Sequence, residues 1–259
     1  MRSAFFLEES AGSLFCTGIL HPQDTGQRRK FLIIPPFAEE MNKSRHVLAA
    51  LSIGLGEAGH DVLIPDLFGT GDSAGDFSHA TLDIWRTKLD AVIEHLGVRG
   101  DLELIGLRAG GLLAADAAIR LKARTLTLLH PLHNGRQQLT QTLRLRLAGS
   151  LTSGGKQETM AQLKERLAAG ECLEIGGYGL SGQLANDLET LSLKQQVPSH
   201  LACVNWVEVA KQVERPLMPA SQEVVDTWRE SGVTVNSSVV ACDQFWATQE
   251  IAQCPALVQ

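Results

Sequence analysis

The segment LIGLRAGGLLA, residues 104–114, has the spacing of a Gly-x-X-x-Gly turn, with a strand-like apolar run before it and a helix-like run after it. Such a turn lifts the side chain X clear of a sheet, where Ser, Cys or Asp can act as a nucleophile. Here X is Arg108, whose guanidinium stays protonated at any accessible pH and cannot attack an acyl centre. Two roles remain for a cation at that point. Arg108 could bind a carboxylate or phosphate as a bidentate fork, helped by the N–H groups of the turn, including that of Ala109. It could instead be half of a structural ion pair. A cation at a helix N-terminus opposes the dipole at about 0.3–1 kcal/mol, so either role calls for a compensating acid.

Other residues with chemical potential are few. Ser73, in GDSAG with Asp72 beside it and His79 shortly after, is a substitute nucleophile on paper, although it equally reads as a loop-shaping Ser. The eight histidines are 21, 46, 60, 79, 95, 130, 133 and 200, and none lies beyond 200. His130 and His133 flank Pro131 at the end of an apolar run and are the best-placed imidazoles for an unconventional base. The glycines at 106–111 lack the G-x-G-x-x-G spacing of a dinucleotide site, and Thr70-Gly71-Asp72-Ser73 is not followed by the Gly-Lys-Ser/Thr of a phosphate loop. No metal-ligand spacing is present, so neither metal nor organic cofactor is implied.

The elements that would position these residues alternate. Residues 4–20 form two β-rich runs around Ser10-Ala11-Gly12, an N-terminal hairpin. Lys30–Ile34, Asp61–Asp66, Leu102–Ile105, Thr125–Leu129, Leu201–Val207 and Val233–Val240 read as strands. Residues 42–58, 79–96, the run out of the turn to about Lys122, and 219–231 have helical periodicity; a last short helix is expected near Phe245-Trp246. Strand–helix alternation at this spacing implies a mostly parallel sheet covered on both faces. Between 131 and 196 the alternation stops, and the stretch is helix-prone with loop signals at Thr152-Ser153-Gly154-Gly155 and Gly176-Gly177-Tyr178-Gly179. We expect a core of residues 1–130 and 197–259 with a helical cap inserted at 131–196.

A net charge of −6 disfavours nucleic acid and anionic membrane surfaces as partners. No run reaches the roughly 18 apolar residues of a membrane span, and the N-terminus does not resemble a signal peptide. Five scattered cysteines without CxxC pairs read as reduced, mostly buried thiols, which suggests the cytoplasm.

With these motifs in place the chain resembles the α/β-hydrolase superfamily: an eight-stranded, mostly parallel sheet flanked by helices, the turn at 106–110 as the nucleophile elbow, and a helical cap. "PDLFGTGDSAGDF" (65–77) resembles a loop of the serine aminopeptidase-like branch. "IIPPFAEEMNKSR" (33–45), taken with the Arg of the elbow, resembles the type 2 hydrolase-like proteins associated with the exosortase A system, which accompany exopolysaccharide gene clusters. The resemblance implies that the N–H groups of Phe37 or Ala38 and of Ala109 are oxyanion donors. It implies that Glu39, Glu40 and Glu208 are the acids nearest Arg108, with Glu208 just after its strand as a relic of the acid position. In "DQFWATQEI" (243–251) the base position falls to Asp243 or Gln244, and Gln244 cannot shuttle a proton. Two expectations follow. One is a pseudohydrolase that binds an anionic or acyl/glycan-like small molecule in its cleft, or a protein partner through its cap. The other is an active esterase, thioesterase or peptidase-like enzyme using Ser73 with His79, His130 or His133.

Overall fold

A computed structural model describes residues 1–9, 12–22, 28–97, 101–152 and 158–258. Ser10 and Ala11 of the expected first turn, and 153–155 of one loop signal, lie outside these residues. The main sheet has eight strands: β1 (Arg2–Leu7), β2 (Leu14–Ile19), β3 (Lys30–Ile34), β4 (Asp61–Pro65), β5 (Leu102–Leu107), β6 (Thr125–Leu129), β9 (Cys203–Ala210) and β10 (Val235–Ala241). Their spatial order is β1-β2-β4-β3-β5-β6-β9-β10. The first two strands and the β2–β4 pair are antiparallel; from β4 to β10 the sheet is parallel.

At the centre of the parallel part both faces are covered, which is why β3, β4 and β5 read as near-continuous apolar runs, whereas β10 at the edge is largely exposed. Alternate residues feed two cores. Leu32, Ile34, Leu104, Leu126, Leu128 and Trp206 face one, with α2 (Leu82–His95) and α3 (Ala109–Leu121) above them. Phe31, Ile33, Ile105, Leu107, Leu129 and Val209 face the other, beneath α1 (Glu39–Glu57) and the C-terminal Phe245 and Trp246. Thr81 caps α2 by accepting the Ile84 N–H, and Pro219 opens α7 (Pro219–Glu230), the helix between β9 and β10.

Among the described residues, the stretch between β6 and β9 holds three helices, α4 (Gly135–Thr152), α5 (Met160–Ala168) and α6 (Gly182–Glu189). It also holds a hairpin of β7 (Leu173–Ile175) and β8 (Tyr178–Leu180) that forms its own two-stranded sheet. Gly176 and Gly177, with φ of 59° and 84°, make the two-residue turn, which needs positive φ at both positions. Tyr178 carries this hairpin back to the core, its ring 5.4 Å from that of Phe77.

Three expectations are corrected. No helix forms at Phe245-Trp246; the segment is a run of turns, tied by the Phe245 N–H to Asp243 and the Ala247 N–H to Gln244. Burial of both aromatic rings, rather than helical hydrogen bonding, fixes its path. Nor are all cysteines free thiols: the chain doubles back after β10, brings the Cα atoms of Cys242 and Cys254 to 5.5 Å, and joins them as a disulfide. Of the free cysteines, Cys16 is buried but Cys172 is exposed and Cys203 half-buried. Third, Glu208 lies within β9, not after it.

Candidate site at the elbow

The backbone of the elbow is formed as the glycine spacing requires. A Cβ on Gly106 would sit 2.5 Å from the Gly111 Cα, and one on Gly110 would sit 2.3 Å from the Ile34 carbonyl. The strand and helix therefore cross closer than any side chain allows. Arg108, between them, has φ 54°. Ala38, on the facing loop after β3, has φ 56°. Both are non-glycine residues in a region that costs on the order of 1–3 kcal/mol. The N–H groups of Phe37, Ala38 and Ala109 have no protein partner among the described residues. Unpartnered backbone N–H groups thus stand both in the loop after β3 and at the start of α3 (Ala109–Leu121).

The side chains tell a different story. Arg108 is only 7% exposed. Its Nε donates to the Glu40 carboxylate at 3.2 and 3.4 Å, and its Nη2 to Glu40 at 3.0 Å and to Gln141 at 3.1 Å. Its Nη1 reaches the His130 carbonyl at 3.5 Å. The Trp246 ring lies against the guanidinium, 5.0 Å from centroid to carbon, which is cation–π distance. Glu40 is therefore the acid that faces the elbow. Glu39 points out toward Lys43, 3.5 Å away. Glu208 is fully buried and takes different partners, the Met218 N–H at 3.1 Å and Arg215 at 2.8 Å.

The histidines do not assemble a base. His130 has φ 41°, and its Nδ1 accepts the Val209 N–H at 3.0 Å while its ring packs, tilted, 4.7 Å from that of Trp246. Burial, and then the nearby Arg108 charge, push its pKa down to about 4. His133 is also pushed down, chiefly by burial. Its Nε2 lies 2.9 Å from the Ser221 hydroxyl, and Ser221 is 1% exposed. Ser73 is engaged at both ends: its hydroxyl donates to the Asp66 carbonyl at 2.7 Å and accepts the Phe15 N–H at 2.9 Å. None of His79, His130 or His133 is among its partners, so the constellation expected around Ser73 is not assembled. The loop is instead organised by Asp66, which also takes Arg45 and the Asp72 N–H.

Gln244 does not touch Arg108. It is exposed and lines an open cleft of about 470 Å³ beside the elbow, with His130, Val209, Lys211, Arg215 and Met218. Trp246, two residues on, occupies the ground between Arg108 and His130. Sequence reasoning missed Trp246, Gln141 and Arg215. The aromatic pair at 245–246 was a usable signal for the first; a glutamine on a helix 33 residues from its partner carries none. Among the described residues no group of three or more His, Cys, Asp or Glu could hold a metal ion. No described helix is long and apolar enough to cross a membrane.

Solved structures share this fold. The chain is similar to Est1E from Butyrivibrio proteoclasticus, solved with ferulic acid bound, at 20% identity and TM-score 0.63, over 92% of this chain and 89% of that one. It is also similar to mouse alpha/beta hydrolase domain-containing protein 10 (17%, TM-score 0.56, 92% and 88% covered). A thioesterase domain from the curacin biosynthetic pathway matches at 18% and TM-score 0.55, with 93% of each chain covered. The fold is that of the α/β-hydrolases. No family model matches the chain, and neither does any curated protein.

Proposed function

We propose that this chain is an α/β-hydrolase-fold protein that has given up Ser-type hydrolysis at its elbow and acts by binding. The observation that carries the reading is the saturation of Arg108. Nucleophile and base are replaced by a guanidinium whose donors are already taken by Glu40, Gln141 and the His130 carbonyl. That argues equally against Arg108 as a free anion receptor. The ligand we assign, a small anionic or acyl/glycan-like molecule, would enter the neighbouring cleft, where Lys211, its side chain 84% exposed, supplies the cation and Val209 and Met218 the apolar wall. Residues 131–196 act in this reading as a cap, available to a protein partner. The loop at 33–45 and the Arg of the elbow support a place among the exosortase A-associated, exopolysaccharide-linked proteins.

The test is covalent labelling and burst kinetics. Purified protein should resist stoichiometric labelling by a fluorophosphonate, and p-nitrophenyl esters should show no burst. Slow ester cleavage is compatible, because oxyanion donors alone sustain about 10³–10⁴ over water. Arg108→Ser should not restore catalysis, since no imidazole stands at the base position. Turnover on the order of 1 s⁻¹ or faster that is lost in Ser73→Ala or Ser221→Ala would overturn the reading. Such a result would favour the alternative, an active esterase, thioesterase or peptidase-like enzyme; the unpartnered N–H groups of Phe37, Ala38 and Ala109 are what supports it.

A further inference from the structure

The segment from Cys242 to Cys254 contains no helix or strand. Its hydrogen bonds are mostly internal: Phe245 to Asp243, Ala247 to Gln244, and the Thr248 hydroxyl to the carbonyls of Phe245 and Glu250. It is held to the body by the buried Phe245, Trp246 and Cys254, by the Cys242 N–H donating to the Ala210 carbonyl, and by the exposed Lys211–Asp243 pair, while the disulfide closes the segment on itself. Trp246 lies against the Arg108 guanidinium and the His130 ring, and His130 in turn lines the open cleft. The two sulfurs differ in access: Cys242 is half-buried and lines the cleft, whereas Cys254 is only 4% exposed.

We propose that the Cys242–Cys254 pair is a reversible redox modification site, opened by a small thiol entering the cleft, that sets whether Trp246 stays seated on Arg108. A thiolate attacks Cys242 Sγ, the S–S bond breaks, and Cys254 leaves as a thiolate that takes up a proton. A second thiol then resolves the mixed disulfide, releasing Cys242 as a thiol and the reagent as its own disulfide. Two electrons pass from two thiols to the protein pair, and the reagent's disulfide drives the reverse reaction. Opening the loop restores its chain freedom and weakens the hold on the Trp246 ring. In reducing surroundings a pair of this kind cycles rather than serving as permanent bracing. The inference concerns loop geometry and stands whether or not the elbow is catalytic.

The test compares wild-type protein after incubation with oxidised glutathione and after dithiothreitol. Alkylation under denaturing conditions should count three thiols in the first state and all five in the second. Acrylamide quenching of Trp246, isolated as the difference between wild type and Trp246→Phe, should rise several-fold on reduction. Cys254→Ser should show the high-quenching state under both conditions. Five thiols after oxidised glutathione would overturn the proposal. So would Trp246 quenching that is equal in the two redox states, a comparison that needs no cysteine variant to fold.

Discussion

Two neighbouring corners of the sheet meet at His130 and Trp246, and they have opposite characters. At the elbow, three side chains and one backbone carbonyl converge on Arg108: Glu40 from α1, Gln141 from α4, Trp246 from the tail and the carbonyl of His130. On the other side of His130, at the ends of β9 and β10, about 470 Å³ stays open, lined among others by Lys211, Asp243 and Arg215. At the elbow the charged side chains satisfy one another and only backbone N–H groups are left unpartnered. The adjoining corner keeps room and the exposed Lys211. The shape of the turn therefore says nothing about what its side chains are free to do.

Removing the ring packed on Arg108 and His130 should have the largest effect. Trp246→Ala deletes a buried side chain, and large-to-small changes of this type cost about 3–5 kcal/mol. Urea denaturation should show that loss, and a loss below about 1 kcal/mol would mean the ring contributes little to the packing of this corner. Arg215→Ala acts on the open side. It strips the countercharge from Glu208, which has no exposure, and should cost about 3–4 kcal/mol by the same measurement. A near-neutral result would make the cleft's arginine free for ligand rather than committed to Glu208.

Acidity probes the shared residue. The unfolded chain protonates His130 near 6.5 and the folded protein only near 4, so the unfolded state binds the extra proton between those values. Stability contributed by neutral His130 is full above pH 6.5, falls as pH drops through the window, and is gone below about 4. At about 1.4 kcal/mol per tenfold in proton affinity, the loss is roughly 3 kcal/mol. His130→Asn keeps an acceptor for the Val209 N–H and tolerates the left-handed backbone. Its denaturation midpoint should be flatter than wild type across pH 6.5 to 4; parallel curves would place the titration elsewhere. Glu40→Gln should have the smallest effect, about 1.5 kcal/mol, because shape and one acceptor remain. A loss as large as that of Trp246→Ala would show the ion pair, not the ring, to be what closes the elbow.

Much of the scaffold is legible in the residues alone, since buried parallel strands and amphipathic helices each impose their own period. The exceptions share a cause. The β7–β8 hairpin uses strands of three residues, too short for a period of two to register. Phe245 and Trp246 mark a buried segment correctly, but burial alone does not distinguish turns from a helix. At the site, Arg108 announces itself by its position, and choosing Glu40 over Glu39 required knowing which side of α1 faces inward. Ser73 resembles a nucleophile in sequence because a small hydroxyl that ties a loop to a strand looks the same as one that attacks.

The crossing at Gly106 and Gly110 has a consequence for how genomes are read. These glycines are required by the contact of strand with helix, where no Cβ fits, and that requirement does not depend on what residue 108 does. Drift can therefore erase the reaction while the joint goes on enforcing its own spelling. A pattern search keyed to the two glycines counts hinges of this architecture; counting enzymes requires reading the letter between them.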